Sequence, residues 1–326
     1  EAGKVAGLHV QDKETGTSYH VKAKCVINAA GVWVDEFRQM DSEQTKRPVK
    51  AMVAPSQGTH LVVDREFMPS DHAILIPKTA DGRVLFIVPW LGKLILGTTD
   101  SPRDDLAREP TAFKDDTGFI LGEAAKYLTR APQRSDVKSI WVGLRPLVKP
   151  PDEDGGNTKK LSREHTILVS KSGLLTVTGG KWTTYRAMAE DVLQKCLDHA
   201  LITAKSPAST EHLALVGSDV ATPVSICEPE GSHSYGSEQE VLNRLPGSQH
   251  WLTHGLSEAM VRFAARYEYA LRVEDVLARR SRLLFLDAQR AAQIAPAVAE
   301  ILQSETGIDP DVQGFLKLAT QYTLAS

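Results

Sequence analysis

In Thr178-Gly-Gly-Lys-Trp-Thr-Thr-Tyr-Arg186 two glycines and a lysine join an apolar strand to the most regular helical pattern in the chain. Tyr185, Met188, Ala189, Val192, Leu193, Cys196, Leu197, Ala200 and Leu201 repeat at i, i+3, i+4 and i+7, which predicts a long amphipathic helix capped by Thr183 or Thr184. A strand that enters a helix through glycines narrows the choice of fold. The backbone there can approach a ligand closely, and the unpaired N–H groups of the first helical turn favour negative charge. Lys181 adds a full positive charge. A second junction of this kind stands near the start, where Cys25-Val-Ile-Asn-Ala-Ala-Gly31 runs a short apolar strand into small residues, with a helix expected from 32 to 40.

Other elements surround these two junctions. Residues 4–10 and 18–28 alternate with period two across the polar run 11–16, as a hairpin does. Strands are expected at 58–63, 72–77, 83–90 and 93–99, with turn signals at Asp81-Gly82 and Leu91-Gly92, so an antiparallel sheet should form. A helix is expected over 112–129, with Phe113, Phe119, Ile120, Ala124 and Leu128 on or near one face. Strands follow at 139–144 and, past a Pro/Asp/Gly loop at 149–157, at 165–170 and 173–178. Residues 203–240 read as a surface linker. Beyond it the pattern is helical throughout: 256–268, 273–286, 287–305 with Asp287 as cap and Pro296 as kink or restart, and 309–323 with Asp309-Pro310 as cap and first position.

Composition sets outer limits. A length of 326 residues suits about two domains, and 42% hydrophobic with 24% charged residues excludes disordered, collagen-like and disulfide-scaffold classes. Lys+Arg 38 against Asp+Glu 41 leaves a net charge of -3, so no global positive field exists to condense on nucleic acid, and any anion site must be local. Cys25, Cys196 and Cys227 stand far apart in sequence without a C-x-x-C, which fits a reducing compartment and neither a zinc site nor a disulfide framework. The most apolar window, 84–97, is too short for a spanning helix and is interrupted by Pro89, Gly92 and Lys93. The chain opens at Glu1 without a leader pattern, as if cut from something longer.

Five features could carry chemistry, each with a plainer alternative. Gly179-Gly180-Lys181 reads as an anion or flavin-ring site, or as an ordinary turn with a solvated lysine. Arg145, inside the apolar stretch 141–148, needs a partner, either a bound carboxylate or phosphate or a structural Asp or Glu. His60, at the start of an apolar strand, has the titration range of a general base but is more often structural in such a place. Gly97-Thr-Thr-Asp100 could orient a ligand, but reads better as a turn or cap. Arg279, Arg280 and Arg282, with Arg266 and Arg272, read as an ion-pair network or a solvated helix end, with a weak contact to anionic lipid headgroups as the functional alternative. No G-x-G-x-x-G, P-loop, metal-ligand pair or G-x-S-x-G occurs.

Taken together, eight segments in order resemble the FAD-dependent glycerol-3-phosphate dehydrogenases, membrane-associated flavoenzymes of bacteria and mitochondria. They are Val26-Ile-Asn-Ala-Ala-Gly-Val-Trp33, Gln57-Gly-Thr-His60, Phe86-Ile-Val-Pro-Trp90, Leu96-Gly-Thr-Thr-Asp-Ser-Pro102, Gly143-Leu-Arg-Pro-Leu147, Leu161-Ser-Arg-Glu-His165, Gly179-Gly-Lys-Trp-Thr-Thr-Tyr-Arg186 and Leu277-Ala-Arg-Arg-Ser-Arg-Leu-Leu-Phe285. The family's opening strand and glycine-rich dinucleotide turn have no counterpart here, so the chain resembles the C-terminal portion of such an enzyme. The resemblance implies an α/β plus α architecture: a partial glutathione-reductase-like FAD domain, an antiparallel substrate-domain sheet and a C-terminal all-α cap. On this layout 1–46 ends the FAD domain, 47–138 is the substrate-domain sheet and helix, 139–203 returns to the FAD domain, and 204–326 is linker and helical domain.

The resemblance further implies oxidation of sn-glycerol 3-phosphate to dihydroxyacetone phosphate. Hydride passes from C2 to flavin N5 while a base takes the hydroxyl proton, and electrons leave to a membrane quinone. His60, as base or substrate orienter, Arg145 and Lys181 are the implied catalytic residues, and Arg145, Lys181 and Thr184 bind substrate. Asn28, Ala29, Ala30, Gly31, Gly179, Gly180, Lys181, Trp182 and Thr183 contact FAD. No metal and no nucleic acid is implied; a peripheral position on the cytoplasmic face of the inner membrane is, and a homodimer is compatible. This portion alone is expected to bind FAD poorly and to be inactive, the activity belonging to the intact enzyme. The alternatives are an oxidase that passes electrons to oxygen, and a non-catalytic fragment that acts only as a binding or docking module.

Overall fold

In a computed structural model that describes residues 3–46, 48–149, 164–207, 209–220 and 223–324, the opening hairpin pairs β1 (Gly7–Gln11) with β2 (Ser18–Lys22). Neither strand buries a face, since Leu8, Val10, Tyr19 and Val21 are all exposed. The period-two run breaks at 23–25, and β3 (Val26–Asn28) leaves the hairpin for another sheet. A 3₁₀ turn at Gly31–Trp33 leads into α1 (Val34–Thr45). Next come β4 (Val53–Asp64), β5 (Ile74–Ile76), β6 (Leu85–Trp90), β7 (Lys93–Gly97) and the short β8 (Ser101–Pro102). The helix expected over 112–129 is only α2 (Asp116–Ala124), because Asp116 Oδ2 accepts the Phe113 N–H at 3.2 Å and turns the chain before the helix starts. β9 (Ser139–Val148), β10 (Thr166–Val169), β11 (Leu174–Thr178) and α3 (Tyr185–Asp198) follow. Residues 150–157 of the expected loop and 161–163 of the matched segment lie outside the described residues.

The C-terminal stretch departs from the expected helical pattern in three places. After α4 (Gln239–Asn243), a small hairpin pairs β12 (Trp251–Thr253) with β13 (Leu256–Ser257), and Ser257 then caps α5 (Glu258–Tyr267) through Met260 N. The helix expected over 273–286 is a π-helical segment at Asp275–Arg280, left-handed Arg282 at φ 53°, and a single turn α6 (Leu283–Leu286). Both Ser281 N and Ser281 Oγ donate to Val276 O, which widens the turn to five residues. α7 (Ala288–Thr306) starts at Asp287 as expected and runs straight through Pro296. That proline costs a backbone bond, but burial of Ala295, Val298, Ala299 and Leu302 beside it holds the helix. The cap of α8 (Val312–Tyr322) is Asp311, not Asp309, with Oδ1 accepting Gly314 N at 3.1 Å.

By internal contacts the chain divides into two units. The first comprises Glu1–Gln57, Asp100–Arg108 and Leu144–Leu213. Its central sheet has the order β10-β11-β3, with β10 and β11 antiparallel but β11 and β3 parallel, Thr176 opposite Asn28. α3 closes one side by setting Val192 and Cys196 against Leu175. Only those two residues of its nine-residue predicted stripe are fully buried; Tyr185 and Leu193 are about half exposed (52% and 51%). Two of the three cysteines, far apart in sequence, meet here: Cys25 Sγ lies 3.7 Å from Cys196 Sγ, both as free thiols.

The second unit comprises Gly58–Thr99, Glu109–Gly143 and Ala214–Ser326. Its sheet carries β5, β6 and β7 in antiparallel order, with β7 paired to β4 from His60 to Asp64. Leu61, Leu85, Ile87, Leu94 and Leu96 are fully buried with Ile120 and Ala124 of α2, each large side chain contributing about 1.5–3 kcal/mol. The expected β6–β7 turn forms with Leu91 at φ 47° and Gly92 at φ 81°, the two positive dihedrals a two-residue hairpin needs. Leu91 holds this costly conformation because its N–H donates to Ile226 O and that of Gly92 to Cys227 O. The helices from α5 onward form their own apolar core around Phe263, Leu277, Leu302 and Phe315.

Candidate active site

The first unit presents the carboxyl ends of parallel strands β3 and β11 side by side, the edge at which open α/β sheets receive ligands. Side-chain bonds tie the two loops that leave it. Asn28, buried, donates from Nδ2 to Val34 O (2.9 Å) and to Thr176 Oγ1 (3.3 Å), while its Oδ1 accepts Ala30 N at 3.3 Å. Thr178 Oγ1 donates to Gly31 O across the pair at 3.3 Å. Asn28, Ala29, Ala30 and Gly31 thus sit against the start of Gly179-Gly180-Lys181-Trp182-Thr183.

Both glycines of the second loop are required. Gly179 and Gly180 have φ of 80° and 75°, and a Cβ would fall 2.6 Å from Glu164 O in the first case and 2.6 Å from Met188 Sδ in the second. Gly31, at φ 61°, faces open space. Neither loop's helix is closed by a side chain: the 3₁₀ turns at Gly31–Trp33 and Trp182–Thr184, and α1 and α3 behind them, all lack a side-chain cap. Thr184 occupies the predicted cap position of α3, but its hydroxyl donates backward to Lys181 O at 2.9 Å. The 3₁₀ turns bond the Trp33, Val34, Thr184 and Tyr185 amides back to the Ala30, Gly31, Lys181 and Trp182 carbonyls. This leaves the first N–H groups of each turn, at 31–32 and 182–183, without a side-chain cap beside this edge, where negative charge is favoured. Lys181 is exposed, and no described carboxylate pairs with it; Trp182 is 85% exposed and stacks on Tyr185. An edge of this chemistry fits the anionic and carbonyl oxygens of a flavin cofactor.

Arg145 lies on β9 three residues before Val148, whose methyl would touch a Cβ at Gly179. Its Nη1 is 3.5 Å from Asp100 Oδ1, and Ser56 Oγ donates to the same oxygen. The structural partner weighed for Arg145 is thus present, and it is the aspartate of Gly97-Thr-Thr-Asp100, read from sequence as a turn or cap. Residue spacing held no signal for that pairing.

His60 belongs to the second unit. Its ring stacks on Trp141 with centroids 4.1 Å apart and planes 16° apart, and Trp141 meets the edge of Phe285. Gly97 lies opposite His60 in the strand register, and a Cβ there would come within 2.5 Å of the imidazole. The histidine is therefore clamped between a glycine and an indole. Sequence reading did not identify Trp141 as a neighbour, although it opens the segment that contains Arg145.

The basic cluster is ion-paired throughout: Arg266 with Glu305, Arg272 with Asp311, Arg279 with Glu274 and Asp275, Arg280 with Glu268, and Arg282 with Glu230. This matches the network reading of these residues. Arg279, Arg280 and Arg282 border a cavity of about 370 Å³ with Glu230 and Tyr235. Burial pushes the Glu230 carboxyl up to about 7 despite Arg282 beside it. Among the described residues no group of His, Cys, Asp or Glu is arranged to hold a metal ion, and no helix is long and apolar enough to cross a membrane.

Comparison with known proteins gives two family matches. The family described as FAD dependent oxidoreductase matches residues 1–186, and the C-terminal domain of alpha-glycerophosphate oxidase matches 232–313. The mitochondrial glycerol-3-phosphate dehydrogenase of Schizosaccharomyces pombe is 36% identical over 94% of this chain and 56% of its own length. A probable mitochondrial glycerol-3-phosphate dehydrogenase of Caenorhabditis elegans is 38% identical over 94% of this chain and 45% of its own. The crystal structure of the glycerol-3-phosphate dehydrogenase from Bacillus halodurans complexed with FAD superposes with a TM-score of 0.76 at 27% identity, covering 98% of this chain and 66% of that one. The chain spans about half the length of the curated relatives it matches.

Proposed function

This chain belongs to the FAD-dependent oxidoreductase family, and from that premise we propose that it is part of a flavoenzyme that oxidises sn-glycerol 3-phosphate to dihydroxyacetone phosphate. The observation that carries the reading is the edge of β3 and β11, where two uncapped helix starts and Lys181 collect positive potential beside a backbone that only glycine can build. Similarity to glycerol-3-phosphate dehydrogenases supports the choice of substrate.

On this reading Asn28, Ala29, Ala30, Gly31, Gly179, Gly180, Lys181, Trp182 and Thr183 hold FAD, which supplies the two-electron acceptor when bound. The amides of Trp182 and Thr183, in the turn that precedes α3, would stabilise negative charge on its ring, as donors near a developing oxyanion do. Lys181 and Arg145 bind the substrate phosphate, for which a charge-assisted pair is apt, and Asp100 holds the Arg145 guanidinium in place. Thr184 orients the substrate. His60, kept in one orientation by Trp141, takes the proton of the C2 hydroxyl.

The finer layout belongs to the same proposal: a glutathione-reductase-like FAD domain from 1–46 and 139–203, a substrate sheet at 47–138 and a helical cap within 204–326. So do electron delivery to a membrane quinone, peripheral attachment at the cytoplasmic face of the inner membrane, and a homodimer. One observation favours the oxidase as a second reading, namely the match of 232–313 to a domain named for alpha-glycerophosphate oxidase.

The test is anaerobic addition of sn-glycerol 3-phosphate to the purified, FAD-loaded full-length enzyme of which this chain is proposed to be part. Bleaching of the flavin spectrum is expected, with reoxidation faster by a quinone than by oxygen; rapid peroxide release would select the oxidase. Lys181→Ala should lower kcat/KM at least about tenfold, or about 1.4 kcal/mol of transition-state stabilisation. A flavin that stays oxidised with this substrate, or an unaltered Lys181→Ala enzyme, contradicts the proposal.

A further inference from the structure

We propose that Cys25 and Cys196 are a thiol pair that peroxide converts to an intrachain disulfide, fastening the base of β3 to α3. Their sulfurs are already 3.7 Å apart although 171 residues separate them in sequence. A disulfide requires about 2.05 Å, so side-chain rotation must close the remaining gap of about 1.7 Å. Cys25 occupies the residue before β3, in the short connection after β2, where a shift disturbs no strand pairing. Cys196 is fully buried on α3 against Leu175 and Val192.

The two thiols differ in a way that orders the chemistry. Cys25 is part exposed and reachable from solvent. Burial, and then Cys25 itself, push the Cys196 thiol up to about 11, so at neutral pH it keeps its proton. Peroxide therefore reacts first at the solvent-accessible Cys25: its sulfur attacks one oxygen, the O–O bond breaks, and the thiol proton leaves with the departing oxygen, giving Cys25 sulfenic acid and one water. Cys196 sulfur then attacks Cys25 sulfur, the S–O bond breaks, and a second water leaves with the Cys196 proton. Two thiols and one peroxide thus yield one disulfide and two waters. The apolar surroundings of Cys196 hinder direct attack by peroxide, which suits it to be the resolving partner.

The bond would act on the elements that carry the candidate cofactor edge without touching that edge. β3 ends in Asn28 and α3 begins at Tyr185, so a link at 25 and 196 sits at the opposite end of both. Closing so long a loop should stabilise the first unit and raise its thermal midpoint by a few degrees. This inference does not depend on the proposed substrate.

The experiment treats the purified protein with stoichiometric hydrogen peroxide and counts thiols in denaturant, with peptide mapping by mass spectrometry. Expected are the loss of two thiols, a decrease of about 2 Da, a Cys25–Cys196 cross-linked peptide, a midpoint increase reversed by dithiothreitol, and retention of the Cys227 thiol. Cys25→Ser should leave Cys196 reduced. Cys196→Ala, which keeps the helix apolar, should leave Cys25 as a sulfenic acid after one equivalent of peroxide and as sulfinic acid once a second equivalent is added. Retention of all three thiols, sulfinic acid at Cys25 in the unaltered protein, or a cross-link through Cys227 or a second copy would overturn the proposal.

Discussion

Lys181, Arg145 and Glu230 show three fates of a charged side chain. Lys181 is exposed at a helix start, Arg145 is held by Asp100, and Glu230 is enclosed with Arg282. The last has a measurable consequence. With burial raising its folded-state value to about 7 from an ordinary 4.5, the native protein retains a proton that the unfolded chain releases. Stability should therefore decline as pH rises from about 4.5 to about 7 and level off above that, by at most about 3 kcal/mol. Glu230→Gln removes the titration, so the stability difference between wild type and variant, followed by urea unfolding across this range, should change by that order. Parallel profiles would show that Glu230 titrates normally. Glycine is the other decisive residue. Gly179 and Gly180 were legible because their role is local, whereas the Arg145–Asp100 pair and the Cys25–Cys196 contact join distant segments and left no mark in spacing.

At the scale of elements, helix ends decide more than helix interiors. Asp287 caps α7 by accepting Arg290 N at 2.9 Å, and Asp287→Ala should cost about 1 kcal/mol, with faster hydrogen exchange confined at first to the opening turn of α7. Asp287→Asn should restore most of the loss; an unchanged midpoint for the alanine variant would remove the cap from the account. That cap and the Leu91-Gly92 turn were readable, because one side chain or one dihedral carries each signal. The shortened α2, the π-helical segment 275–280, the hairpin at 251–257 and the shift of a cap to Asp311 were not. In each, a hydrogen bond or packing partner outside the periodic pattern overrides it. α3 shows the opposite failure: its periodicity is clear, yet only Val192 and Cys196 of the stripe are fully buried.

For the molecule as a whole, two features converge on one edge: parallel strands that end together, and helix starts that no side chain closes. Family membership supplies a cofactor of matching chemistry. Hydrogen exchange of the full-length enzyme of which this chain is proposed to be part, with and without FAD, tests this most directly, since it reads the backbone amides themselves. Protection should appear at residues 31–32 and 182–183, with little change in the helices from α5 onward. Stoichiometric FAD binding that leaves both loops exchanging freely, with protection elsewhere, would contradict the account.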